Sequence, residues 1–297
     1  MTPPLTAIAR KIDAGDPLTP EDTRALEATR DLIGLGMMAE LVRRRRHGDR
    51  ATFVRVAVSG PGSAATGTAI PEGAGELRLA GPFADPGELV ERARTASDLI
   101  GDRPLSVASL ADLGRVVDGV AAFEGLAAEL RTAGVERVAL AEMDVLPDLT
   151  AWLEPLTRAG IAIGAFGLRL APSGSQVDQL EKVRELHAST GLVRAYAPLP
   201  AEAPSDRPST GYDDVRAVAL ARLLLTEVES IQVSWATYGP KLAQVALLFG
   251  ADELDAVPAE ASPDLGPRRT PWAEVRRNIA EAGFAPEERD GRLQPVG

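Results

Sequence analysis

Apolar runs of strand length alternate with amphipathic runs of helix length from residue 51 to residue 249, with short turns between them. Such alternation calls for crossover connections, and hence for a parallel sheet covered by helices. The strand segments are 51–58, 76–80, 105–109, 136–141, 161–166, 192–198 and 231–235. The helical segments between and after them are 85–100, 119–133, 147–159, 175–189, 213–227 and 240–249. Seven or so such units without a reversal signal predict an α/β fold, a closed or partly closed (β/α) barrel of the TIM type. A doubly wound open sheet is the other architecture compatible with the pattern. A chain of 297 residues suits a single barrel domain. The expected organisation is an N-terminal helical segment (1–50), a β/α barrel (51–256) and a C-terminal helical extension (257–297) carrying an amphipathic helix at 272–282. The Pro- and acid-rich stretches 200–208 and 258–271 read as long surface connections.

Ahead of the alternation, Thr19-Pro20-Glu21-Asp22 opens a helix. Thr19 can cap it, Pro20 fits the first turn, and the acids face the positive end of the helix dipole. Leu26, Ile33, Met37 and Leu41 then recur near helical spacing, which predicts one helix running to the stop at His47-Gly48. The run Arg43-Arg44-Arg45-Arg46 reads as its solvated C-terminal end.

Several function classes are excluded early. The net charge of −11 repels phosphate backbones, so nucleic acid is not an expected partner. No apolar run approaches the ~20 residues of a membrane span, so no membrane partner is expected either. The N-terminus lacks the apolar core of a secretory signal, and the expected location is cytoplasmic. The sequence has no cysteine, which rules out disulfides, zinc–thiolate sites and cysteine-ligated clusters. Its two histidines, His47 and His187, leave any metal site to carboxylates, and no metal site is assigned. His187 reads as a residue of a helix end. No Ser-His-Asp set can be assembled, and no catalytic residue is assigned.

Two local patterns carry chemistry in other proteins. The loop after the first strand contains Gly60-x-Gly62-x-x-Ala65, a loose dinucleotide fingerprint. That fingerprint needs a helix to begin there, and Gly67, Pro71, Gly73 and Gly75 prevent one. Thr68 stands where a phosphate-binding loop requires lysine, so 59–75 reads as a plain loop. Glu142 and Asp144 follow the end of a strand, which in a barrel is the functional face. They suit acid–base work, cation binding or the capping of the next helix.

Three segments carry a resemblance. The first is 31–50, ending Arg46-His47-Gly48-Asp49-Arg50. The second runs from Gly211-Tyr212-Asp213-Asp214 to Arg222, followed by Ile231-Gln232-Val233-Ser234-Trp235. The third is Gly239-Pro240-Lys241 through Gln244 to Gly250-Ala251-Asp252-Glu253-Leu254. In order and spacing these resemble the radical-SAM aminofutalosine synthase and dehypoxanthine futalosine cyclase family of menaquinone biosynthesis, which is related to deazaflavin cofactor synthases. The resemblance spans nearly the whole chain and is most specific at its end. It implies a radical-SAM (β/α) barrel and radical chemistry driven by a [4Fe–4S] cluster that cleaves SAM.

The departures from that family are equally specific. The resemblance places a Cys-x-x-x-Cys-x-x-Cys loop after the first strand, where this chain has the thiol-free stretch 59–75. The family's pocket His and Glu appear here as Leu168 and Leu170, and its Gly-Gly motif near SAM as Ala80-Gly81-Pro82. The expectation is a scaffold without a cluster and without radical chemistry. It would act as a partner, pairing with an active paralogue or with itself, or as a binder of SAM or a nucleoside-like small molecule. The alternative is a lyase, hydrolase or proton-transfer enzyme. The polar residues available to a ligand are Glu142, Asp144, Arg169, Tyr196, Ser234, Trp235, Tyr238 and Lys241. Arg169 and Lys241 suit a carboxylate or phosphate.

Overall fold

The computed structural model describes residues 3–60, 70–170, 174–201, 211–260 and 271–296. Its strands are β1 (Arg50–Ser59), β2 (Glu76–Leu79), β3 (Leu105–Ser109), β4 (Val135–Glu142), β5 (Ala162–Arg169), β6 (Ala195–Leu199), β7 (Ser230–Ser234), β8 (Glu253–Pro258) and β9 (Ala285–Arg289). The first helices are α1 (Leu5–Ala14), α2 (Pro20–Ala28), α3 (Leu32–His47), α4 (Pro86–Ile100), α5 (Leu110–Arg115) and α6 (Gly119–Thr132). The chain continues with α7 (Leu149–Ala159), α8 (Gln176–Thr190), α9 (Tyr212–Leu224), α10 (Trp235–Leu248) and α11 (Pro271–Glu281).

The strands pair in the order β2-β3-β4-β5-β6-β7-β8-β1-β9, and β1 also pairs with β2. The pairings of β1 to β8 therefore return on themselves, which makes the expected (β/α) barrel closed, with β9 added beside β1. Registers are parallel, as in Val56 opposite Glu76 and Arg137 opposite Ala162. Gly164 is fixed by this pairing: a Cβ there would stand 2.4 Å from the Ala139 carbonyl oxygen.

By internal contacts the chain divides into two compact units. The first contains Met1–Ala51, Leu168–Leu254 and Arg276–Pro286; the second contains Thr52–Gly167, Asp255–Val275 and Glu287–Gly297. The second unit is cored by Phe53, Leu79, Val107 and Leu126, with the rings of Phe123 and Trp152 5.1 Å apart. The first buries Leu26, Leu35, Val218, Leu220, Val233 and Ile279.

Several expectations require correction. The single N-terminal helix is two, because Thr29 leaves the helical conformation and Asp31 caps a new start through the Gly34 amide. Ile33 and Met37 of the apolar repeat are 75% and 67% exposed. The arginine run is not uniformly solvated: Arg43 is fully buried. It donates to the carbonyls of Ala251, Gly48 and Arg50, and its guanidinium lies 3.8 Å from the Phe284 ring centroid. Burial lowers its pKa to about 10. The strand β8, the helices α1 and α5, and the strand β9 in the C-terminal segment add to the elements read from sequence. α10 begins at Trp235, capped by Ser234, and bends at Gly239 and Pro240, where the sequence pattern placed its start. Most of the loop 59–75 and of the two Pro-rich connections lies outside the described residues.

Candidate functional site

In the second unit, β2 ends before a turn and presents Glu76 and Arg78, two residues apart and so on one face. Arg78 donates to both carboxylate oxygens of Asp255 on β8, at 2.7 and 2.9 Å, and to Glu76 at 2.8 Å. Ser106 of β3 donates to the same Glu76 oxygen. All but Asp255 are among the buried polar residues, and Asp255 is nearly so. Burial alone would lower the arginine's pKa, but the charges of Asp255 and Glu76 raise it further than burial lowers it. Burial likewise pushes the Asp255 carboxyl up, and the Arg78 guanidinium more than reverses that. Arg78 and Asp255 each favour the charged form of the other, and the cluster is internally paired.

Glu142, at the end of β4, accepts from Ser109 Oγ at 2.7 Å and from the Ala111 amide at 3.3 Å. Ser109 is itself the N-cap of α5 through the Asp112 amide. These are the bonds of a capping acid. Asp144 is exposed in the turn that follows.

The other sequence candidates lie in the first unit. Tyr196, Trp235 and Tyr238 are buried, Ser234 caps α10, and Arg169 and Lys241 are exposed. Tyr238 donates to the Pro198 carbonyl at 2.9 Å. Burial pushes its phenol well above the usual range, and the nearby Asp214 and Tyr196 add to this. Arg169 donates to the Pro200 carbonyl at 3.0 Å. Tyr196, Asp214 and Tyr238 thus form one neighbourhood. Leu168 and Leu170 are each 6% exposed, so apolar groups fill these two positions.

Two buried charge groups in this unit escaped the sequence reading. Arg194 contacts both Glu253 oxygens, at 3.1 and 3.2 Å, and Gln232 donates to Glu253 as well. Asp252 accepts from Arg222 and from the Ile231 amide, and His47 stands 3.5 Å from its other oxygen. Burial lowers the His47 pKa, and Asp252 only partly opposes it. Arg46 donates to the carbonyls of Thr226 and Val228. Segments 31–50 and 211–254, which carry the resemblance, therefore meet in this network at the starts of β7 and β8. That end of a barrel strand stabilises rather than reacts. The signal for these groups was present as charged residues at alternate strand positions, such as Glu76-Leu77-Arg78-Leu79.

Among the described residues, no group of three or more His, Cys, Asp or Glu is placed to hold a metal ion. Nor is any helix among them long and apolar enough to cross a membrane. The fold is a closed (β/α) barrel, and the candidate residues described in it are bonded largely to one another or to backbone. Methylornithine synthase (PylB) has a similar fold, with a TM-score of 0.66 at 15% identity over 94% of this chain and 97% of that one.

Residues 204–296 match the family model described as the CofH/MqnC C-terminal region. Aminodeoxyfutalosine synthase of Thermus thermophilus is 27% identical over 364 residues, covering 99% of this chain and 96% of that protein. Cyclic dehypoxanthine futalosine synthase of Streptomyces coelicolor is 28% identical over 184 residues, 58% of this chain and 45% of that one. The chain is a divergent relative of these proteins in which cysteine is absent. An iron–sulfur cluster of the kind the resemblance implies needs three thiolates, so the donor set present here does not fit it.

Proposed function

We propose that this protein is a cluster-free relative of the futalosine-pathway radical-SAM enzymes, and that it acts as a partner or ligand-binding protein without radical chemistry. The observation that carries the reading is the absence of cysteine from all 297 residues. Hydroxyl or aliphatic side chains do not replace thiolate as a ligand for iron in such clusters. The burial of Leu168 and Leu170 supports it, since these positions offer neither proton donor nor acceptor. The bonds of Glu142 to α5 and of Tyr238 to Pro198 also support it, because both groups hold the protein's own backbone. On this reading the partner is an active paralogue or a second copy of the chain, and the ligand is SAM or a nucleoside.

Anaerobic treatment with iron and sulfide, followed by incubation with SAM and dithionite, tests the chemical half. The expected result is no stoichiometric cluster absorbance and no 5′-deoxyadenosine above the protein-free control. Formation of 5′-deoxyadenosine would overturn it. Thermal melting with SAM, futalosine and dehypoxanthine futalosine tests the ligand half, since a molecule that binds only the native state raises the midpoint.

A further inference from the structure

The first unit contains a cavity of about 1160 Å³ outside the candidate site. It lies between α2, α3, α8, α9 and the turn joining α1 to α2. Small-molecule sites usually measure roughly 300–1,000 Å³, so this one has room for a ligand. Its apolar lining includes Leu18, Val42, Val177, Leu180, Leu223 and Leu224. Of these six, Leu180 and Leu223 are buried and the other four are half-buried. Among the described residues no aromatic side chain lines it, so they offer no platform on which a purine or another flat ring could stack. Its aliphatic walls fit a flexible hydrocarbon chain instead.

The polar groups of the lining separate into engaged and unengaged ones. Glu27 accepts from Ser175 Oγ at 2.9 Å and from the Val177 amide at 3.2 Å, which ties α2 to the first turn of α8. Arg184 pairs with Glu181 and Glu227, and Arg45 with Asp13. Asp178 sits in the first turn of α8, where the helix dipole favours it, and Asp16 is exposed in the turn after α1. Two cations remain. Among the described residues Arg46 donates only to backbone carbonyls and pairs with no carboxylate. Arg24 is exposed on α2 and has no bonded partner among the described residues.

We infer that this cavity binds an amphiphile with an aliphatic chain and an anionic head group, of the fatty carboxylate class. The chain lies along Leu180 and Leu223, and the head group meets Arg24 and Arg46. The inference does not depend on the cluster question and stands or falls separately.

Displacement of 11-(dansylamino)undecanoate from the intact protein by decanoate, decanol and decyltrimethylammonium tests it. Decanoate is expected to displace the dye saturably and more tightly than either of the others. Val177→Trp narrows the cavity without burying charge and is expected to weaken displacement, with an unchanged melting profile confirming the fold. Arg24→Gln is expected to weaken decanoate about tenfold, the worth of one charge-assisted bond, and to leave decanol unchanged. No saturable dye binding, binding indifferent to Val177→Trp, or ammonium binding as tight as carboxylate would each overturn the inference.

Discussion

Arg78 of β2 and Asp255 of β8 stand 177 residues apart in the chain, yet both guanidinium Nη atoms reach both carboxylate oxygens, at 2.7 and 2.9 Å. A two-point fork of this kind is directional, and its burial makes each partner dependent on the other. Removing one side leaves an uncompensated charge inside the protein. Asp255→Ala is therefore expected to cost about 3–5 kcal/mol of unfolding free energy. The triple variant Arg78→Met, Asp255→Leu and Glu76→Gln, which removes all three charges of the cluster, is expected to recover most of that loss. Urea denaturation of the three proteins measures both. The carboxyl's folded pKa is below its ordinary value, so its contribution is complete above the unfolded pKa of about 4. It is lost as the pH falls through the folded pKa.

His47 predicts a pH dependence in the neighbouring range. Burial depresses its folded pKa below 6.5, with Arg222 adding to this and Asp252 opposing it. Arg43 approaches from the same helix, and the Glu229 carbonyl accepts at 3.0 Å. Between the folded value and about 6.5 the unfolded chain binds the extra proton, so stability falls as the pH drops through that window. The slope is bounded at about 1.4 kcal/mol per pH unit. Unfolding free energies between pH 7.5 and 5.5 should show this slope in the parent and lose it in His47→Gln. An equal slope in both proteins would remove His47 as its source.

The periodic elements were legible because alternation and capping are local. Seven strands, the barrel class and the cap at Thr19 all follow from spacing within a few residues. The strand β8 was missed because Glu253 and Asp255 give it an acidic sequence, and their cationic partners lie elsewhere in the chain, at Arg194 and Arg78. Arg43 failed for the same reason: its burial depends on the carbonyls of Ala251 and Arg50 and on the Phe284 ring, none of which its own segment announces. The candidate site was legible as a set of residue types. Whether Glu142 was a reactive acid or a cap depended on Ser109, 33 residues away.

That bond yields the next prediction. Ser109 donates to Glu142 while accepting from the Asp112 amide, so one hydroxyl joins β4 to the start of α5. Losing an N-cap costs about 1 kcal/mol. Ser109→Ala and Glu142→Gln are each expected to lower stability by about that amount, and the pair by less than the sum, since both act on one connection. Any ligand affinity measured by thermal shift should be unchanged in Glu142→Gln. A loss of ligand response with unchanged stability would instead mark Glu142 as a binding group.

The positions of Leu168 and Leu170 allow a test of whether this interior accepts the polar groups that the resemblance places there. Both are 6% exposed, and the resemblance places a histidine and a glutamate there. The Leu170 amide donates to the Leu199 carbonyl, and a leucine side chain needs no polar neighbour. Leu170→Glu would bury a carboxyl among apolar groups, which costs several kcal/mol when ionised and drives its pKa up. A raised carboxyl pKa makes the native state bind the proton first, so stability falls as the pH rises above about 4.3 and levels off beyond the folded value. The variant should therefore lie closest to the parent near pH 5 and lose about 2–4 kcal/mol relative to it by pH 8. Unfolding free energies at the two pH values measure this. A pH-independent difference between Leu170→Glu and the parent would mean that a compensating cation survives nearby, and that the pocket still accommodates the family's acid.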